Sequence, residues 1–433
     1  MSMIKHIKEM VEHIPYPIGR LMALVPFAVR LGGEYGRCRR LIASAADWSK
    51  EQYTDYVVRS FAAAFEHAKT FPCYRNLYAA VGVMDLHIKS IDDVSKVPTI
   101  DKAWTRQHFH EFKGAYRLNT GGSSGEPTAF WMDRNCWARE WAHMHTIWEK
   151  MGYHYTDLKL AIRGKNLGRR PFAYNPVHNE YIINTYLNVS SYAEQLKALF
   201  RKRTVRWFHG YPSSIHQFIL ECEKLFGKNA THDLFASVKG LLLSSEFPHL
   251  HIVAKFKEYN LSFVSWYGHS EMCILAYDDS AAKGGAFANC YHPFLTYGYC
   301  EVVNGHLIGT SFHNTDMPLI RYDTGDLVEA LPGGAFAVRE GRNGDFIVDK
   351  NGKWIPLTAL IFGRHHHAFD VANSVQIGQT EAGSATLYVS GLNDSKLSIG
   401  ELFDFTNIAV EFNLELIPQP IRTKLGKVQL RVV

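Results

Sequence analysis

Two short apolar runs, Gly240-Leu241-Leu242-Leu243 and Leu261-Ser262-Phe263-Val264-Ser265, bracket a stretch of helical pattern. This strand, helix, strand order is the strongest constraint on the fold, because it belongs to α/β sheets. Ligands of such sheets bind at the carboxyl ends of the strands. The second run leads directly into Trp266-Tyr267-Gly268-His269-Ser270-Glu271, a polar and aromatic segment at that end. Lys159 to Arg163 and Arg203 to Gly210 read as further strands, and Ser214-Ile215-His216-Gln217 as the capped start of a helix with Phe218, Ile219, Cys222 and Phe226 on one face.

Before this α/β part, residues up to about 112 are predicted to be mainly helical. Ser49-Lys50-Glu51-Gln52 forms a capping box, and Tyr53, Val57, Phe61, Phe65 and Ala68 follow at helical spacing. Trp137, Trp141, Met144, Trp148 and Met151 also fall on one helical face and read as core. From Tyr299 onward the texture is β-rich. Asn304-Gly305 and Asn351-Gly352 are predicted hairpin turns, and Thr386 to Val389, Ala409 to Leu416 and Val428 to Val433 complete a small α+β unit beginning near Asp345.

Asn119-Thr120-Gly121-Gly122-Ser123-Ser124-Gly125-Glu126-Pro127-Thr128 separates the helical start from the apolar Ala129-Phe130-Trp131. Glycines allow close backbone approach, and successive N–H groups with hydroxyls make a concave donor surface for phosphate oxygens. A solvated turn between two strands has the same composition. No Gly-Lys-Ser/Thr ending follows, so the loop is not of Walker type.

The balance of 47 basic and 42 acidic residues, net +5, carries no block of like charge and argues against a nucleic-acid partner. Seven irregularly spaced cysteines read as reduced thiols, consistent with a cytoplasmic protein. The apolar run Leu21 to Val29, with Lys5, Lys8 and Arg20 before it, is too short to span a bilayer and contains Pro26. It is expected to pack as core, with peripheral membrane contact as the alternative.

Taken together, the motifs resemble the adenylate-forming (ANL) superfamily, and within it the phenylacetate-CoA ligase family in the capsular polysaccharide biosynthesis branch of CapK type. Five motifs occur in that family's order over residues 119 to 427. The resemblance implies a large ATP- and acid-binding α/β domain over 1–344, its β-sheets flanked by helices, with a helical extension over about 1–112, and a small mobile α+β domain over 345–433. Thr120, Gly121, Gly122, Ser123, Ser124 and Gly125 would hold the β- and γ-phosphates of ATP. Ser245 and Glu246 lie where the family wraps backbone around adenine, Tyr267 and Gly268 where it stacks on the base, and Glu271 where it binds Mg²⁺.

Met317 to Leu327 contains Tyr322-Asp323-Thr324-Gly325-Asp326, similar to the family's Tyr-Arg-Thr-Gly-Asp, in which Asp326 would accept both ribose hydroxyls. Asp323 stands where arginine is usual. Gly341-Arg342-Asn343-Gly344-Asp345 resembles the hinge motif, with Arg342 near ribose or phosphate and Asp345 at the pivot. Gly352 would enter the site for the second half-reaction. Arg422 to Lys427 resembles the C-terminal motif whose lysine, here Lys427, touches the substrate carboxylate and α-phosphate. The implied reaction activates a small-molecule carboxylate with MgATP. Coenzyme A is the usual acceptor, an amino sugar or carrier protein an alternative one, and a homodimer is common. A non-catalytic nucleotide-binding relative would keep the loop and Asp326 but lose Glu271 or Lys427; both are present. His365-His366-His367 read as strand residues that alternate between faces, so no more than His365 and His367 could converge, and the stretch holding Cys273, Cys290, His292 and Cys300 lacks tight zinc-type spacing; both read as other than metal sites.

Overall fold

The computed structural model describes residues 14–119, 128–282, 285–339, 346–362, 364, 366–372, 374–392, 397–421 and 430–432, with backbone alone at 358, 359 and 362. The chain is mixed α/β, as the sequence predicts. Its centre is an eight-stranded sheet ordered β10-β9-β8-β7-β6-β3-β5-β4. These strands are β3 (Leu158–Ile162), β4 (Phe172–Asn175), β5 (Glu180–Ile183), β6 (Val205–Gly210), β7 (Gly240–Leu243), β8 (Ser262–Gly268), β9 (Leu275–Asp278) and β10 (His292–Pro293). The five strands from β5 through β3, β6 and β7 to β8 run parallel, while β4, β9 and β10 add antiparallel edges. Every residue of β3 and β7 is buried, as strands covered on both faces require. Gly210 closes β6 where only glycine fits, since an added Cβ would lie 2.0 Å from the Ile162 carbonyl oxygen.

The helical start packs beside this sheet. The capping box at Ser49 is present: Gln52 N–H donates to Ser49 Oγ at 3.3 Å, and Ser49 N–H to Gln52 Oε1 at 2.8 Å. The hairpin β1 (Tyr116–Asn119) with β2 (Ala129–Met132) follows, in register from Tyr116↔Met132 to Asn119↔Ala129. Helix Cys136–Glu149 buries Met144 and Trp148, and Trp141 and Met151 pack against the same cluster, so the predicted stripe is core except at Trp137, which turns to solvent.

A four-stranded antiparallel sheet comes next, formed by β11 (Gly298–Val303), β12 (His306–Ser311), β13 (Tyr322–Ala330) and β14 (Phe336–Val338). The predicted Asn304-Gly305 turn joins β11 to β12, with φ of 52° and 83° at its two residues. The second predicted turn is longer. β15 (Phe346–Val348) pairs with β16 (Trp354–Pro356) around a five-residue connection, because the Asp349 carboxylate accepts from Asn351 and Lys353 N–H and holds it open. Beyond it, β17 (Ser374–Glu381), β18 (Ser384–Ser390), β19 (Glu411–Ile417) and β20 (Arg431–Val432) form a sheet ordered β19-β18-β17-β20. Its core cluster, including Ile347, Val375, Leu387 and Leu402, is separate from those of the central sheet and draws in only Tyr186 from the earlier chain. The boundary placed near Asp345 lies outside the described residues.

Two expectations change. Helix Pro212–Phe226 starts two residues before the predicted Ser214 cap, with Pro212 in its first turn and no side-chain cap from its own N-cap residue. The N-terminal apolar run does not pack as core. Ala23 and Phe27 are buried, but Ile18, Leu21 and Val29 are 62%, 64% and 71% exposed, and Leu24 and Val25 are exposed with them. Helices Tyr16–Ala23 and Phe27–Arg30, separated at Pro26, present this apolar face together.

Candidate active site

Two of the sequence motifs, the one that follows β8 and the one in β13, meet beyond the carboxyl end of β8, where an α/β sheet leaves backbone groups and side chains free to meet a ligand. After β7 the chain turns at Ser245, whose φ of +66° is uncommon for a non-glycine residue. Glu246 then points back at helix Pro212–Phe226. Its carboxylate accepts Ser213 N–H at 3.0 Å and Ser213 Oγ–H at 2.9 Å. The helix is therefore capped from another strand, which is why its own sequence misplaced its start. With the Glu246 side chain so engaged, what Ser245 and Glu246 offer a base is the turn's backbone.

β8 carries Tyr267 and Gly268 at its end, and the turn after it carries His269 and Glu271. The Tyr267 hydroxyl donates to Asp326 Oδ2 at 2.5 Å, joining the motif after β8 to the motif in β13. Asp326 sits in a sharp local structure: Gly325 has φ +79°, its N–H donates to Asp323 Oδ1 at 2.8 Å, and Asp326 N–H donates to Thr324 Oγ1 at 3.2 Å. Asp323 also faces His306 at 3.1 Å, so the residue that departs from the family pattern is paired within its own sheet.

Glu271 is buried and held on both sides. Its Oε1 accepts the Tyr322 hydroxyl at 3.1 Å, and its Oε2 lies 3.1 Å from His269 Nδ1. Burial opposes charge here, but the facing imidazolium outweighs it and holds the Glu271 carboxyl down to about 2. Burial likewise opposes a proton on His269, yet Cys273 and Glu271 beside it raise its pKa well above the ordinary value. His269 Nε2 is 3.6 Å from Cys273 Sγ. Glu271 is thus a buried, ionised carboxylate with one acceptor position of each oxygen in use.

The hairpin reaches the same place. Phe130 of β2 meets the Tyr322 ring edge-on, centroids 6.0 Å apart, and Thr128 is buried with its hydroxyl 3.3 Å from Arg106 Nη1. The two ends of the loop are held by other groups, Asn119 by the Asp370 carboxylate and Thr128 by Arg106. Thr120, Gly121, Gly122, Ser123, Ser124 and Gly125 lie outside the described residues, as do Arg342 and Lys427; Lys427 precedes by three residues Leu430, which is buried in the C-terminal core.

Three features were absent from the sequence reading. His269 and Tyr322 hold Glu271, and only the proximity of His269 in sequence could have signalled it. Glu180, at the start of β5, is fully buried and accepts Arg163 Nη2 at 2.8 Å, with His209 Nδ1 3.7 Å from its other oxygen. Trp148, His209 and Trp266 pack against this group, at centroid distances of 5.0 Å and 6.0 Å from the histidine. A cavity of about 1020 Å³ opens farther along, between helix Pro212–Phe226 and the β15–β16 hairpin; Gly352, Lys353, Trp354, Ser213, His216 and His251 are among its walls. Tyr267, Glu271 and Asp326 do not line it, so the predicted Gly352 loop faces a space distinct from the cluster where the motifs meet.

Of the histidine and cysteine groups, Cys290 Sγ lies 3.6 Å from His292 Nε2, and His365 is outside the described residues. His366 is buried, with Nε2 2.9 Å from the Leu360 carbonyl oxygen, and His367 precedes a short helix rather than lying on a strand. Cys273 is buried against His269, while Cys290 and Cys300 are half-buried. No described helix is long and apolar enough to cross a membrane.

No protein-family model and no curated protein matches the chain. Among solved structures, 2-hydroxyisobutyryl-CoA ligase in the postadenylation state, in complex with R3-HIB-AMP, is 16% identical over 87% of this chain and 88% of its own, at a TM-score of 0.49. The o-succinylbenzoate CoA synthetase of Bacillus subtilis, bound with a product analogue, is 12% identical over 72% of this chain and 68% of its own, with a TM-score of 0.38. A malonyl-CoA ligase with methylmalonyl-CoA and AMP bound is 12% identical over 71% of each chain, also at 0.38. At these scores the likeness decides neither fold identity nor activity, and the functional reading rests on the motifs and their geometry.

Proposed function

We propose that this chain is an adenylate-forming ligase that activates a carboxylic acid with ATP and passes the acyl group to coenzyme A or to another thiol or amine acceptor. The observation that supports the reading is the meeting of two motifs, Tyr267 with Asp326 and Glu271 with Tyr322, against which Phe130 of the hairpin that bounds the Thr120 to Gly125 loop packs. In this reading the loop amides and hydroxyls grip the pyrophosphate end of ATP, Tyr267 and Gly268 border the base, and Asp326 accepts the ribose hydroxyls. Glu271 would hold Mg²⁺, which supplies charge neutralisation at the phosphates.

The substrate carboxylate oxygen attacks the α-phosphorus in line; the new O–P bond forms as the bond to the leaving pyrophosphate breaks. No side-chain nucleophile is needed, because positioning and electrostatic stabilisation supply the rate. Lys427 and Arg342 are assigned to the charge that develops there. Division at residue 345, with residues 345–433 as a small domain that reorients for transfer, is part of the same proposal; the separate C-terminal core supports it. A role in cell-surface polysaccharide assembly follows from the branch the motifs resemble. The exposed apolar face at Ile18, Leu21, Leu24, Val25 and Val29 supports the added reading that the enzyme works against a membrane surface.

ATP–pyrophosphate exchange across a panel of carboxylic acids tests the proposal. Acid-dependent exchange that falls strongly in Lys427→Ala is expected. Exchange that no acid stimulates, or that Lys427→Ala leaves untouched, would refute it.

A further inference from the structure

The segment leading into the β1–β2 hairpin gathers three metal-ligating side chains that none of the roles above uses. Cys73 is the second residue of helix Pro72–Ala80, His108 is the last residue of helix Lys102–His108, and Glu111 ends the turn Phe109–Glu111. One ligand atom from each, the Cys73 Sγ, a ring nitrogen of His108 and a carboxylate oxygen of Glu111, lie within 4.8 Å of one another. Among the described residues no other trio of Cys, His, Asp or Glu converges in this way.

Their arrangement has an inner and an outer layer. His108 Nδ1 stands 2.8 Å from Glu111 Oε1, while Glu111 Oε2 accepts the Cys73 backbone N–H at 2.8 Å. The backbone bond fixes the carboxylate plane and leaves Oε1 turned to the imidazole, the kind of outer hydrogen bond that orients metal ligands. Cys73 is buried, but the His108 and Glu111 side chains are 21% and 19% exposed, which leaves an entry path for an ion. A helix cap by Glu111 with a His108 partner accounts for the carboxylate and the imidazole. The same carboxylate also takes a hydrogen bond from the Cys73 thiol, so sulfur, nitrogen and oxygen already meet around one point.

We propose that Cys73, His108 and Glu111 form a zinc site with three protein ligands, water completing the tetrahedron. One sulfur, one nitrogen and one oxygen suit borderline Zn²⁺, whereas Mg²⁺ and Ca²⁺ take oxygen alone. Bonds of about 2.0–2.3 Å need ligand atoms roughly 3.3–3.7 Å apart, so small side-chain rotations complete the site. The ion clamps residues 102–111 onto helix Pro72–Ala80. Phe109 in turn stacks on Trp131 of β2, centroids 5.6 Å apart and planes 7° apart, so the clamp reaches the base of the hairpin that carries the Thr120 to Gly125 loop.

The test is independent of catalysis. Metal-stripped full-length protein is titrated with Co²⁺ and followed by absorbance, then with Zn²⁺ in competition. One Co²⁺ per chain is expected, with tetrahedral visible bands and a thiolate charge-transfer band in the near ultraviolet, all displaced by Zn²⁺. Cys73→Ala should abolish the charge-transfer band. Glu111→Gln keeps an acceptor for the Cys73 N–H, and so the fold, yet should weaken Zn²⁺ binding at least about tenfold. Cys290→Ser should bind as the parent does. Substoichiometric binding, a charge-transfer band lost in Cys290→Ser instead of Cys73→Ala, or undiminished affinity in Glu111→Gln would overturn the assignment.

Discussion

The contact between Tyr267 and Asp326 gives a prediction whose sign separates two roles for the tyrosine. Its hydroxyl donates at 2.5 Å to the carboxylate that, on the proposed reading, must accept a ribose diol. Tyr267→Phe removes that donor and keeps the ring, which packs edge-on against Phe336 at 5.3 Å. A hydrogen bond to a charged group contributes about 1.5–3 kcal/mol, so urea unfolding should show a loss of stability in that range. Nucleotide binding should move the other way. Ribose hydroxyls no longer compete with the tyrosine, and AMP measured by calorimetry should bind as tightly as to the parent, or up to about tenfold more tightly. Asp326→Asn should instead weaken AMP about tenfold or more, because two charge-assisted acceptors are lost. The double variant should show coupling of about 1–3 kcal/mol in stability, as residues in direct contact do. Equal weakening of AMP by Tyr267→Phe and Asp326→Asn, with stability unchanged in the former, would refute the competition argument.

The remaining predictions concern stability and surface. The Glu271 contribution is present above its unfolded value near 4.5 and is lost as pH falls toward about 2; that of His269 is complete below about 6.5 and is lost as pH rises through its raised folded value. The stability difference between parent and His269→Gln should therefore be greatest from about pH 4.5 to 6.5 and narrow at alkaline pH; a difference constant from pH 6 to 10 in urea titrations would count against the ion pair. Glu246→Ala should cost about 1–2 kcal/mol in thermal or urea unfolding by uncapping helix Pro212–Phe226, with AMP affinity unchanged. Leu21→Asp combined with Val25→Asp should abolish flotation with anionic liposomes while leaving the melting temperature in place, since both side chains already face solvent.

Strand–helix–strand order was legible because β7 is an unbroken apolar run and β8 a mostly apolar one, and the Asn304-Gly305 turn because its two residues must take positive φ. Local signals failed where a distant group supplied the missing partner. Helix Pro212–Phe226 is capped by Glu246, 33 residues after Ser213, and no local pattern could place its start. Tyr322 reaches Glu271 across 51 residues, so the site's best-held carboxylate showed in sequence only as a motif member, without the two side chains that fix its charge. The exposed face at Ile18 to Val29 misled for a related reason: hydrophobicity tells that a stretch avoids water, not what it meets instead.

Lys353 turns the cavity wall into a clasp. Its ammonium group donates to the Leu187 carbonyl oxygen at 2.9 Å and faces Glu221 at 3.3 Å, and burial lowers its pKa although Glu221 acts against the shift. Asn407 to the Gly168 carbonyl at 2.9 Å, Asn166 to Asp404 at 3.0 Å and Asn119 to Asp370 fasten the C-terminal sheet at three other points. These polar contacts are ones that water can replace, each worth about 0.5–1.5 kcal/mol net; the Tyr186 ring, buried in the C-terminal core with Arg364 over it, adds to them. On the proposed reading, in which residues 345–433 reorient, a gap of a few kcal/mol would leave a released arrangement populated at about 0.1–10%. Any ligand that binds the released arrangement better draws on that reserve, and its apparent affinity falls in proportion to how seldom the clasp is undone.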